Sequence, residues 1–337
     1  MRLLFIDLQN AQDNILLIKL WKALEETRIS YTLIKTVREL RRNSFTNVKQ
    51  GGHFSGFEVT QGLRQGCCIS PTLFKIYVEK ALNIWKRKCS GIGYNVDNTT
   101  VYTLQFAGGQ VVTDQSKEGL DCMCRKLQEE YSKWGLTVNI AKTKYMSLGT
   151  DTIHLELDNG DIITGCTEFR YLGSIFTKDG RDIKIIRHRV TQARKVIGAL
   201  NGVWWSKDVT KNRGKIICNS MVESVLICGA ETWSLFEGGR RRIDAAEVDA
   251  LRRAAGISTL DRKVNDCSRE KMNAQDTILV EIIRKQLIWC GHVERMDPTR
   301  LPKIIINWKP EGRKTRGRPR RTRKDGIYRA MSERWDI

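Results

Sequence analysis

The hydrophobic pattern of this 337-residue chain changes period once, near Asp182, and that change limits what it can fold into. Before it, short apolar runs alternate with amphipathic segments. Residues 2–7 read as a buried strand, because Leu3-Leu4-Phe5-Ile6 leaves no polar face before Asp7. Ile15, Leu17, Ile18, Trp21 and Leu24 recur at helical spacing within residues 14–27, and a second helix is expected over residues 31–42. Gly51-Gly52 and the alternation around Phe57 predict a hairpin. Ser70-Pro71 supplies an N-cap and a first-turn proline for a helix over residues 72–88. Residues 101–106 and 110–113 flank Gly108-Gly109, the composition of a two-residue hairpin turn with positive φ. A helix over residues 120–134 stops at Gly135, a strand returns over 137–148, and Asp158-Asn159-Gly160 marks a hairpin closed by residues 169–176.

Beyond Asp182 the strand signals disappear. Ile183, Ile186, Val190, Ala193, Ile197 and Leu200 form one apolar stripe at spacings of three and four, with Lys184, Arg187, Arg189, Arg194 and Lys195 on other faces. Further helices are expected over residues 213–228, 245–255 and 274–290, with Trp204, Trp205 and Trp233 in their core. Residues 310–324 carry arginine and lysine without apolar periodicity, which predicts a disordered tail. The architecture expected is α+β, an antiparallel sheet backed by helices over residues 1–175. A helical region follows over 176–256, then a second over 257–309 and a basic tail over 310–337.

A formal net charge of +20 concentrates polyanions around the surface, so nucleic acid is the default partner and an acidic membrane surface the weaker one. No apolar run approaches the roughly 18 residues a membrane helix needs. Ten irregularly spaced cysteines without a secretory leader read as reduced thiols of the nucleus or cytoplasm, not of a secreted protein. Four scattered histidines form no zinc constellation.

Chemistry enters through motifs in a fixed order. Phe5-Ile6-Asp7 comes first, with Ala11 and Asp13 downstream. Then follow Gly62-Leu63-Arg64-Gln65-Gly66-Cys67-Cys68-Ile69-Ser70-Pro71 and Phe106-Ala107-Gly108-Gly109. Trp134-Gly135-Leu136-Thr137-Val138-Asn139 with Lys142-Thr143-Lys144 is next, and Phe169-Arg170-Tyr171-Leu172-Gly173 closes the series. The series closely resembles the reverse transcriptase encoded by non-LTR (LINE-type) retrotransposons of the endonuclease-plus-polymerase kind. Gly229-Ala230-Glu231-Thr232-Trp233, Leu251-Arg252-Arg253 and Gly291-His292-Val293 with Arg295-Met296 carry the resemblance across almost the whole chain.

The resemblance implies a polymerase palm followed by a helical thumb, an RNA template, and a DNA primer or duplex DNA as partners. It implies Mg²⁺ as cofactor, held by an aspartate ending the first palm strand and two consecutive aspartates at a hairpin tip. Asp7 matches the first, whereas Gly108 and Gly109 occupy the other two positions, so the Mg²⁺ site is expected to be incomplete and catalysis lost. Hard cations need carboxylate oxygen, and glycine offers only its backbone carbonyl. Gln12 stands where the family has an aromatic residue that excludes a 2′-hydroxyl. Arg64, Gln65 and Gly66 match the loop lining the nucleotide and template pocket, and Lys142 matches the lysine proposed to protonate pyrophosphate. Read on their own, Lys142 and Lys144 are a solvated edge. Asp114 lies too far along its strand to replace a missing ligand. The chain begins almost at the first palm motif, so the expectation is a truncated copy without the fingers segment or an endonuclease domain. In the tail, Arg313, Arg316, Arg318, Arg320 and Arg321 are expected to bind nucleic acid. Arg316-Gly317-Arg318-Pro319 with Arg320 is the core of an AT-hook, and a phosphate-binding tail or a nuclear import signal is the alternative.

Overall fold

In a computed structural model, residues 1–308 and 326 are described, apart from residues 43, 107, 150–153, 207 and 275. The basic tail residues named above lie outside the described residues. The chain divides into two units, Met1–Leu172 and Gly173–Ile337.

The first unit is built around β1 (Arg2–Ile6), whose apolar run is buried on both sides as a central strand requires. Four more short strands precede its partner. They are β2 (Phe45–Gln50) and β3 (His53–Glu58), β4 (Tyr94–Val96) and β5 (Thr99–Val101), each pair an antiparallel ribbon. Then come β6 (Thr103–Phe106), β7 (Gly109–Asp114) and β8 (Lys144–Ser147), which with β1 form a four-stranded antiparallel sheet in the order β6-β7-β1-β8. Alternation along β1 sends Leu4 and Ile6 into one core with Val112 and Tyr145, and Leu3 and Phe5 into another with Val111 and Met146.

Helices close the first core. They are α1 (Leu17–Glu25), α2 (Tyr31–Glu39), α3 (Ser70–Lys88) and α4 (Lys117–Lys133). On α3 the buried residues Leu73, Phe74, Tyr77, Val78, Ala81, Leu82 and Trp85 keep helical spacing. Polar side chains fix its neighbours. Trp85 Nε1 donates to the Met123 carbonyl at 2.9 Å, and Lys88 Nζ pairs with the buried Glu130 at 2.6 Å. The Tyr77 hydroxyl donates to the Trp134 carbonyl and accepts from Leu16 N, and burial pushes its pKa up to about 12. The second core is covered by β11 (Glu168–Tyr171), which follows the ribbon of β9 (His154–Glu156) and β10 (Ile162–Thr164). Phe169 stacks on Phe5 with ring centroids 4.2 Å apart.

Two local expectations change. Ser70 is the first helical residue of α3 rather than its cap, because its amide already bonds the Cys67 carbonyl. The strand expected over 137–148 is interrupted: Val138 makes one bridge to Leu8, and regular pairing resumes only at Lys144. Asn139 causes the break. Its carbonyl and side chain accept from Thr143 N and Lys142 N, turning the chain between them.

The second unit opens with β12 (Ser174–Thr177) and is otherwise helical. In α5 (Ile183–Ala199), Ile185, Ile186, Val190, Ala193 and Ile197 are buried while Arg187, Arg194 and Lys195 stay exposed. The short α6 (Asn201–Trp204) brings in Trp204, and Trp233 is buried too, whereas Trp205 remains exposed. α7 (Lys211–Ile217) passes through a π-helical turn, Cys218–Glu223, into α8 (Ser224–Leu226). α9 (Glu237–Ala254) begins well before the expected residue 245. α10 (Asn265–Lys271), α11 (Ile278–Glu294) and α12 (Leu301–Asn307) complete the unit. Among the described residues no helix is long and apolar enough to cross a membrane.

Glu247 of α9 organises this unit from within. Its buried carboxylate accepts from Arg269 Nη2 of α10 at 2.8 Å and from Ile278 N at 2.8 Å, which caps the first turn of α11. Burial raises its pKa in spite of Arg269. Glu223 is raised as well, first by burial and then by Glu247 and Glu281. A folded-state pKa raised above the unfolded value gives a contribution that is full below the unfolded pKa and lost as pH rises through the folded one. The charged form of Glu223 therefore weakens the fold at neutral pH. Glu223→Gln should raise the melting temperature of the full chain at pH 7.5 by about 1 to 3 °C, and much less near pH 4.5. Thermal unfolding at both pH values checks it.

Candidate active site

Asp7 follows the last residue of β1 and emerges between β7 and β8. On the β7 side Ile6 stands opposite Gln110 and Phe106 opposite Gly109, so one further step of register brings Asp7 level with the hairpin tip. On the β8 side Asn139 N donates to the Asp7 carbonyl at 2.8 Å, and Asp7 N donates to Thr143 Oγ1 at 3.4 Å. That turn carries Lys142 to the carboxylate, with Nζ 4.0 Å from Asp7 Oδ2. The side chains are 72% (Lys142) and 47% (Asp7) exposed, so the ion pair adds little stability and both groups remain open to a ligand.

The tip differs from expectation. Gly109 is the first residue of β7, and neither Gly108 nor Gly109 has a left-handed φ. The turn therefore does not require glycine at either position. A β-carbon at Gly108 would meet no atom within 4 Å, whereas one at Gly109 would lie 3.0 Å from Tyr171 Cε2. Tyr171 arrives there because β11 packs Phe169 and Tyr171 against the same face of the sheet as Phe5. Its hydroxyl donates to the Gly109 carbonyl at 3.1 Å and lies 3.4 Å from that of Leu104, and burial raises its pKa.

The loop expected to line the nucleotide pocket is docked on the turn after β1. Gly62 N donates to the Ile15 carbonyl at 2.8 Å and Leu63 N to that of Gln12 at 2.7 Å. Here glycine is demanded: Gly62 has φ +83°, and a β-carbon would lie 2.6 Å from the Asp13 carbonyl oxygen. Gln65 Nε2 is 3.5 Å from Asp13 Oδ1, and Arg64 Nη2 donates to Ser44 Oγ at 2.7 Å. Arg64, Gln65 and Gly66 are exposed. Sequence reading missed Arg41, which is buried beneath this loop and donates to the Gly62 carbonyl. Burial, and then Arg64, lowers the Arg41 pKa. The one signal was the Arg41-Arg42 pair at the end of a helix, which does not distinguish a buried cation from a solvated one.

The donor set at the tip is thus one carboxylate, two glycines and an ammonium group, which does not fit a pair of Mg²⁺ ions. Among the described residues no three His, Cys, Asp or Glu side chains stand together as a metal site. Asp114 does not substitute. It sits at the far end of β7, opposite Arg2, where its carboxylate accepts from Gly93 N at 2.6 Å and from Ser116 N at 2.6 Å.

This order of strands, tip and loop agrees with a comparison of the sequence with known families. The profile described as reverse transcriptase (RNA-dependent DNA polymerase) matches residues 2–176. The chain belongs to the reverse transcriptase family. A transposon-derived protein of Caenorhabditis elegans is 24% identical to this reverse transcriptase relative over 230 residues, 64% of this chain and 79% of that one. Among solved structures, telomerase from Candida tropicalis with a TWJ fragment of telomeric RNA is 12% identical, with a TM-score of 0.44 over 90% of this chain and 48% of that chain. Telomerase from Candida albicans, with the same kind of fragment, is 13% identical, with a TM-score of 0.38 over 87% and 49%. The chain spans about half the length of each telomerase.

Substitutions at three glycines should separate these environments. Gly108→Asp should change stability by less than about 0.5 kcal/mol, whereas Gly109→Asp, which must displace Tyr171, should cost about 1 to 3 kcal/mol. Gly62→Ala combines a left-handed φ with a backbone clash and should cost at least about 2 kcal/mol. Urea denaturation of the three variants gives the order directly.

Proposed function

We propose that this chain is a reverse transcriptase of the non-LTR (LINE-type) kind that has kept the frame for holding RNA template and DNA primer or duplex, and has lost nucleotidyl transfer. The observation that carries this reading is Asp7 standing alone at a tip whose two facing positions are glycine. Two-metal phosphoryl transfer needs carboxylates on both ions, and metal stabilisation supplies several kcal/mol to the transition state. At about 1.4 kcal/mol per tenfold, its loss lowers the rate by roughly three orders of magnitude or more. Asp7, Lys142 and the loop of Arg64, Gln65 and Gly66 remain as a surface that can bind a template or nucleotide without turning it over. Gln12 contributes no ring to exclude a 2′-hydroxyl, so sugar selectivity is expected to be poor.

Primer extension on an RNA template tests this. The chain as it stands should extend at background with Mg²⁺ or Mn²⁺, and the Gly108→Asp/Gly109→Asp double variant should extend above it. Extension by the unaltered chain at rates comparable with the double variant would refute the reading.

Binding is the retained function on this view, and phosphate contacts make it salt-dependent. Affinity for an RNA–DNA duplex should fall about a hundredfold or more between 50 and 200 mM salt. Removing residues 310–337, with Arg313, Arg316, Arg318, Arg320 and Arg321, should lower both affinity and salt slope. Fluorescence anisotropy across a salt series measures the two quantities, and a flat response would remove the basic surface from the account.

A further inference from the structure

The helical unit contains a cavity of about 630 Å³, within the roughly 300–1,000 Å³ typical of small-ligand sites. Its walls come from the π-helical turn and its flanks, from α9, and from the start of α11. A π-turn inside an α-helix is uncommon and is frequently found at functional sites. Here the turn ends at Glu223, and Asn219 and Glu223 both line the cavity.

Pairing inside the cavity uses most of the charges but not all. Glu247 is held by Arg269 and by the Ile278 amide. Glu281 and Asp276 share Arg284 at 2.7 and 3.1 Å. Lys215 Nζ donates one hydrogen bond to the Asn273 carbonyl at 2.5 Å. The Glu223 carboxylate makes no direct ion pair among the described residues, although Lys215 attracts it at longer range, and it accepts from the Asn219 amide at 3.2 Å in the orientation that satisfies both groups. Its raised pKa has the same origin, a partly desolvated carboxylate beside Glu247 and Glu281. Lys285, also lining the cavity, has no acidic partner among the described residues.

Among the described residues, the charged lining groups that no direct ion pair engages are therefore one carboxylate and two ammonium groups, with Ile227 and Leu251 as apolar wall. Their complement is an anion with a flat body and adjacent N–H donors. Guanine offers N1–H and N2–H₂ side by side, which a carboxylate accepts as a bidentate pair. Adenine, cytosine and uracil present no such pair, and a partly desolvated carboxylate facing their acceptors would be left unsatisfied. We infer that this cavity binds a guanine nucleotide, with its N1–H and N2–H₂ edge on Glu223 and its phosphate toward Lys285 and Lys215. The same chemistry is offered by a free guanine nucleotide and by an unpaired guanosine in a bound strand. The inference is independent of the palm and of whether it transfers nucleotides.

Equilibrium dialysis of the full chain against GMP, AMP, CMP and UMP tests it. GMP should bind about tenfold or more tightly than the other three. Glu223→Gln, which removes no ion pair and should remain folded, should weaken GMP about tenfold and leave AMP unchanged. Lys285→Ala should weaken all four alike. Competition of bound GMP with a short oligouridylate carrying one guanosine identifies the source: displacement below the GMP concentration itself points to a strand, and weaker displacement to the free nucleotide. Equal affinity for the four monophosphates, no measurable GMP binding at millimolar concentration, or GMP affinity unchanged by Glu223→Gln would each overturn the inference.

Discussion

The burial of β1 on both faces is the constraint from which the first unit follows. Four consecutive apolar residues can be desolvated only between two layers, so helices must cover one side and another segment the other. Leu4 and Ile6 face the helices, and Leu3 and Phe5 face Phe169 and Tyr171. Asp7 is where this buried strand meets solvent, so the first ionisable group after the run is held at a defined place beside the hairpin tip. The same packing explains Tyr171 at Gly109, since covering Phe5 with Phe169 brings the next inward residue of β11 to the end of the sheet.

In the second unit an interior acid plays the comparable role. Three helices meet at Glu247, whose carboxylate is buried because a guanidinium and a backbone amide satisfy its oxygens. Removing either donor would leave a buried charge short of a partner. The net charge of +20 and this interior are therefore different matters. Arg187, Arg194 and Lys195 of α5 stay exposed, while the carboxylates gathered around Glu247 set the packing of α9, α10 and α11.

Much of the candidate site was legible before any coordinates. Asp7, the loop at Arg64, Gln65 and Gly66, and Lys142 stand in readable motifs, and the structure sets Asp7 beside Lys142 and the loop against Gln12 and Asp13. The turn at Gly108-Gly109 was legible as a turn but not in its conformation. Pairing of Phe106 with Gly109 puts the second glycine in the strand, and a shift of one residue in register changes which positions need a left-handed φ. Arg41 and Tyr171 were not legible as site residues. Their roles come from burial under a loop and contact across a sheet, and neither leaves a local pattern. Ser70 shows the same limit, since its amide is recruited by the Cys67 carbonyl and the hydroxyl is not needed as a cap.

The sequence alone determined the alternation of strands and helices before residue 182 and the helical stripe after it, because side-chain period follows directly from backbone geometry. It also determined which chemical groups are available at the tip, and that two of them are glycine. Tertiary structure decided which groups meet. The 4.0 Å approach of Lys142 to Asp7, the Tyr171 ring beside Gly109, and the crowding of Glu223 by Glu247 and Glu281 all depend on contacts between residues far apart in the chain. Such contacts depend on packing and register, which no local spacing encodes.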